Sequence, residues 1–216
     1  EMISQLLKHP ASGVRHNALL TLPSSSGSIE HIARAGSLHD SDAQVQLAAL
    51  MALADMPANW RAGQLLAELF QNTSLLQDRY LKEGLICAAA THAQPFLVAV
   101  LESGQPYSAT ANGERAEIVR TIAQHAARSG MSPADLKSLV AALSKAPVET
   151  VGPLAEGLAA GWPRSGAIDI PTGAEDVLQR LLDRAPADQL APLLRLGNAW
   201  GSERLTQYTQ QLTATL

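Results

Sequence analysis

Apolar positions along this chain fall in short blocks with helical spacing, and polar breaks separate the blocks. Val45, Ala49, Leu50 and Leu53 sit at i, i+4, i+5 and i+8, one stripe of a helix wheel. The same spacing occurs 31 residues earlier: Val14-Arg15-His16-Asn17-Ala18-Leu19-Leu20-Thr21-Leu22 and Val45-Gln46-Leu47-Ala48-Ala49-Leu50-Met51-Ala52-Leu53 both read V-x-x-x-A-L-x-x-L. Each copy follows a polar break, Lys8 to Gly13 before the first and His39 to Gln44 before the second.

The breaks divide the first half into helix pairs. One helix ends near Lys8 and its partner runs from Val14 to about Leu22, stopped by Pro23 and the serines after it, which read as a flexible turn. The next pair covers about Ser28 to Leu38 and Ala43 to Asp55. Trp60 to Phe70 follows, with a partner starting near Asp78 in which Tyr80 replaces Val and Gly84 replaces Ala. A fourth pair spans Pro95 to Glu102 and Gly113 to Ser129, where Ile118, Ile122 and Ala126 mark one face. Farther on, Ser132-Pro133-Ala134-Asp135 has the form of a helix cap and predicts a helix from Pro133 to about Lys145. Further helices are expected at Val148 to Gly161, Gly173 to Arg184, Pro186 to Trp200 and Ser202 to Ala214. Pro153 fits the first of these only in or near its first turn.

A helix-break-helix unit recurring at this period predicts an all-α chain built as an α-α superhelix, an armadillo-type solenoid of about five to six antiparallel helix pairs. On this reading residues 1–216 form a single elongated helical-repeat domain. Composition adds how such helices pack. Hydrophobic residues make up 46% and aromatic ones only 4%, so the core is assigned to Ala, Leu, Val and Ile, which lets helix axes approach closely. A net charge of −4 offers a polyanion no general attraction, and nucleic acid is not an expected partner. No apolar run reaches the roughly 18 residues of a membrane span, so direct membrane insertion is not expected. The chain opens on Glu1 inside an apparent helix and reads as a piece of a longer multidomain protein.

The break followed by V-R-x-x-A-L-x-x-L resembles HEAT repeats, most closely at His9-Pro10-Ala11-Ser12-Gly13-Val14-Arg15. In such repeats an Asp before the Val and an Arg after it form a polar ladder. Gly13 in the Asp position and Gln46 in the Arg position imply a broken ladder here. A narrower resemblance, carried by the Val14-Arg15 helix, Asp40 to Ala54, Asp78-Arg79-Tyr80-Leu81 and Val151 to Leu158, is to the helical-repeat segment of large exported bacterial proteins described as membrane-bound dehydrogenase-like. That resemblance implies a spacer between a sugar-dehydrogenase-like propeller and a c-type cytochrome domain, in a periplasmic or extracellular setting. This chain contains neither domain and no Cys-x-x-Cys-His, so any redox chemistry belongs elsewhere in such a parent. HEAT-like DNA glycosylases use a basic, aromatic-lined groove, which this acidic, aromatic-poor chain does not offer. A HEAT-like lyase leaves no short motif to test.

Candidate chemistry is sparse. The six histidines, His9, His16, His31, His39, His92 and His125, show no ligand spacing, and no metal site or cofactor is assigned. His9 and His39 occupy equivalent breaks and are read as caps on helix carbonyls. Cys87, flanked by Ile86 and Ala88, is read as a buried inert thiol. No catalytic residues emerge, and phosphate-loop and Gly-x-Ser-x-Gly patterns are absent. The candidate interaction surface consists of Asp78, Arg79 and Tyr80 at a helix start, and of Trp60, Trp162 and Trp200, each beside a break. For Asp78 the simpler reading is an N-cap, for Arg79 an ion pair between repeats, and for the tryptophans burial between Ala-rich helices. The function these features support is a non-catalytic scaffold whose partners are other proteins or neighbouring domains of the same chain.

Overall fold

The computed structural model describes residues 2–105, 113–163 and 170–202. They form thirteen α-helices and a single 3-10 turn, Ser37–His39, with no strand among the described residues. The expected helix from Ser202 to Ala214 lies, after Ser202, outside the described residues, as do parts of the 103–112 and 161–172 segments. Contacts divide the chain into two compact units, Glu1–Phe96 and Leu97–Leu216.

The first unit contains α1 (Met2–Leu6), α2 (Ser12–Leu20), α3 (Ser26–Ala35), α4 (Ala43–Ala54), α5 (Trp60–Leu69), α6 (Thr73–Gln77), α7 (Arg79–Thr91) and the start of α8 (Ala93–Glu102). Most of these helices begin at a residue that satisfies orphan N–H groups. Ser25, Asp42, Asn59, Asn72 and Asp78 each accept a hydrogen bond from a backbone amide of the first turn. Ser25 therefore starts α3 two residues earlier than the apolar pattern indicates. The serines around it are not a loose turn, since Ser24 Oγ donates to the Asp55 carbonyl at 2.7 Å and Ser28 Oγ to the Pro23 carbonyl at 2.6 Å. At the other end of α3, Gly36 takes the left-handed conformation, φ 73°, that an L side chain resists, and the chain turns into the 3-10 segment. The short α6 was not legible in the apolar pattern.

Helices of this unit pack in two series. α2 packs on α4 and α4 on α7, while α1 packs on α3 and α3 on α5. The predicted stripe forms the interface of the first series, with Val45, Ala49, Leu50 and Leu53 all buried beside Ala18 and Leu19. Gly84 lets α7 approach α4, because a Cβ there would sit 2.9 Å from Leu47 Cδ1. Tyr80, in the Val position of the third copy, breaks the pattern and is 67% exposed. Phe70 and Phe96 meet edge-to-face at 5.6 Å in the core.

The second unit holds the rest of α8 with α9 (Gly113–Ser129), α10 (Pro133–Leu143), α11 (Val148–Gly161), α12 (Ala174–Leu182) and α13 (Ala187–Ala199). The Ser132–Asp135 capping box forms as the sequence predicts. Here α9 packs on α11 and α11 on α13, with α10 on α12. Gly157 and Gly161 make the first contact close: added Cβ atoms would run into the Arg120 and Gln124 carbonyl oxygens and lie 2.8 and 2.9 Å from the Ala123 and Ala127 Cβ atoms. Pro153 lies in the second turn of α11, not in or near the first. It cannot bond the Glu149 carbonyl, and the buried Gln189 of α13 approaches that oxygen through Nε2 at 3.5 Å.

Candidate interaction surface

A densely hydrogen-bonded contact joins consecutive breaks in the first unit. Arg15 Nε and Nη2 donate to Asp40 Oδ2 and Oδ1, both at 2.7 Å, while Nη1 donates to the His9 and Pro10 carbonyls at 2.8 and 3.0 Å. Four of the five guanidinium N–H groups are thereby engaged. Arg15 thus finds its acid not next to the Val but in the following break, at Asp40. Gln46, which follows the Val of the second copy as Arg15 follows that of the first, donates to the Asp40 carbonyl at 2.6 Å. The Arg15 hydrogen bonds hold the Asp40 carboxyl below the usual carboxylate range against the opposing effect of burial, with help from the Asp42 amide. Lys8, His9 and His39 line an open hollow of about 410 Å³ beside this pair. His9 does not cap a carbonyl; its Nδ1 accepts the Ala11 amide at 3.1 Å.

At the start of α7, Asp78 is the N-cap, accepting the Tyr80 and Leu81 amides at 2.9 and 3.0 Å. Arg79 does not bridge repeats. It pairs with Glu83 one turn along the same helix at 2.9 Å, and both are well exposed, a geometry worth little in stability. Trp60, which opens α5, is 50% exposed rather than buried. In the second unit Trp162 and Trp200 come together, ring centroids 5.8 Å apart, with Trp200 buried and Trp162 half-buried. The tryptophans therefore divide into one exposed side chain and one packed pair.

Two features escaped the sequence reading. Leu20 and Met51 each stand six residues after the Val of their copy, and they are 63% and 41% exposed. They stand on α2 and α4, two helices that pack on each other. Ile86 of α7 holds the corresponding place in the third copy and is half-buried. The signal was present as an apolar residue recurring at a nominally variable position. Cys87, next to Ile86, is exposed, not buried. The α7 stripe runs through Leu81, Gly84, Leu85 and Ala88, which turns Cys87 outward.

A comparable ionic line links the helices of the second unit. Arg120 of α9 donates through Nε to Glu156 of α11 at 2.9 Å and also pairs with Glu117, while Arg195 of α13 lies 3.7 Å from the other Glu156 oxygen. Among the described residues no group of three or more His, Cys, Asp or Glu side chains converges. No single helix among them is long and apolar enough to cross a membrane, and the one pair with enough apolar length, α7 and α8, is sharply bent at the break between them. Comparison with known proteins finds no matching family model, no matching curated protein and no matching solved structure.

Proposed function

We propose that this chain is a HEAT-like helical-repeat scaffold that presents a surface to other proteins or to neighbouring domains, and that it performs no catalysis of its own. The observation that carries the reading is the repeated exposure of an apolar residue, Leu20 then Met51, at equivalent positions of α2 and α4, two adjacent helices whose opposite faces are buried. A solvated spacer has no need of apolar side chains at a fixed repeat position, whereas a binding surface does. The serial packing of α2, α4 and α7, and separately of α9, α11 and α13, supports a solenoid arrangement within each unit. Arg15–Asp40 and Arg120–Glu156 act as rungs that hold neighbouring units in register.

The reading is tested with the double variant Leu20→Lys, Met51→Lys. The expected result is an unchanged melting temperature and loss of the associations that the wild-type chain makes in extracts of its own cells. A variant that keeps every association refutes the assigned surface. One that melts far below the wild type shows the two residues to be core.

A further inference from the structure

His92 is the break between α7 and α8, and its ring is fully buried. Its Nδ1 accepts the Asn59 amide at 3.0 Å, so the ring proton is on Nε2, which donates to the Leu53 carbonyl at 3.0 Å. A single neutral imidazole thus ties the last turn of α4 to the residue that precedes α5. Asn59 is itself the cap of α5, accepting the Arg61 and Ala62 amides at 2.8 and 3.4 Å. Thr91 adds a bond from Oγ1 to the Ala54 carbonyl at 2.9 Å. From the α7–α8 side the corner from residue 53 to residue 62 is held by His92 and Thr91, while Ser24 holds the Asp55 carbonyl from the other side.

Nothing at the site can accept a second ring proton. Protonated Nδ1–H would point at the Asn59 N–H, setting donor against donor in a space closed to water, with no counter-charge. No charged side chain contributes to the ring's surroundings. Asp55 beyond α4, Arg61 and Glu68 on α5 and Glu83 on α7 are exposed, and Lys82 and Glu102 lie ten residues away along the chain on α7 and α8. Burial accordingly pushes the imidazole below its ordinary titration range, against a smaller opposing effect of the Leu53 bond.

We infer that His92 is an acid-sensitive latch: protonation expels the ring from the α4–α5 corner and frees the start of α5, where Trp60 is exposed. The sign follows from linkage. Because the folded form resists the proton, the opened form gains protons first, and the closed corner loses stability as pH falls below the ordinary histidine value of about 6.5. Above that value the latch is fully engaged.

The test is amide hydrogen exchange at Asn59 and its neighbours in the full chain, expressed as protection relative to intrinsic rates, at pH 7.5 and 5.0. His92→Gln supplies an acceptor and a donor on a side chain that does not titrate. Wild-type protection is expected to fall by up to about thirty-fold, the limit set by the ordinary histidine pKa, and that of the Gln variant by less than about twofold. An equal fall in both chains, or none in the wild type, overturns the inference. If the Gln variant does not fold, ring ¹⁵N shifts of the wild type decide: His92 is expected to hold the neutral Nε2–H tautomer to a lower pH than the ordinary histidine value of about 6.5. Titration of His92 at the ordinary histidine value overturns the latch.

Discussion

Arg15 and Asp40, twenty-five residues apart, meet in two parallel hydrogen bonds of 2.7 Å that join the first two breaks of the chain. The pair is only slightly exposed, 14% and 10% of the two side chains, which sets it apart from the solvated Arg79–Glu83 pair. Asp40 is the member whose titration matters. Its carboxyl is held below the usual range by Arg15, so its contribution is complete above about pH 4 and is lost as the pH falls through the lowered native value. Asp40→Asn is expected to melt lower than wild type at pH 7 and to lose less of its stability between pH 5 and pH 2. Thermal unfolding across that range checks both, and a parallel decline in the two chains contradicts the assignment.

Gly157 and Gly13 give opposite expectations for the same substitution. Gly157→Ala drives a methyl into the Arg120 carbonyl of α9 and is expected to cost about 1–3 kcal/mol, because backbone on the far side cannot yield as a side chain would. Gly13 lies inside α2 with nothing within 4 Å of an added Cβ, so Gly13→Ala is expected to stabilise by about 0.5–1 kcal/mol. Urea unfolding of the two variants measures both signs.

Cys87 provides a direct check on the orientation of α7. As the only cysteine and an exposed one, it is expected to react with a water-soluble aromatic disulfide in native buffer, to the same one equivalent reached in urea. Reaction only after denaturation would place the thiol inside and rotate the helix away from the arrangement described.

Much of this structure was legible in the sequence, and what was not has identifiable physical causes. The V-x-x-x-A-L-x-x-L copies located α2 and α4, and the Ser132 box located α10, because burial and capping each impose a local spacing. Helix starts were misplaced where a polar cap lies outside the apolar run, as at Ser25. Cys87 was assigned to the core from its apolar neighbours Ile86 and Ala88, but neighbours along a helix point in different directions, and the stripe through Leu81, Leu85 and Ala88 decides. Of the candidate surface, Asp78 was read correctly as a cap. The partner of Arg79 was not, since Glu83 lies one turn along the same helix and takes up the guanidinium. The Arg15–Asp40 and His92 contacts span more than twenty residues, and no local pattern encodes which residue lies opposite across a packed interface.

The account rests most heavily on the register of α4, where one position faces the core and the next faces out. Leu50 has no exposed surface and Met51 is 41% exposed. Thermal unfolding of Leu50→Asp and Met51→Asp in the full chain compares a carboxylate placed in the α2–α4–α7 interface with one placed beside it in solvent. The expected result is that Leu50→Asp loses more than about 4 kcal/mol, enough to abolish the cooperative transition of residues 1–96, while Met51→Asp stays within about 0.5 kcal/mol of wild type. Equal effects from the two substitutions, or a larger loss from Met51→Asp, would contradict the repeat register and the surface built on it.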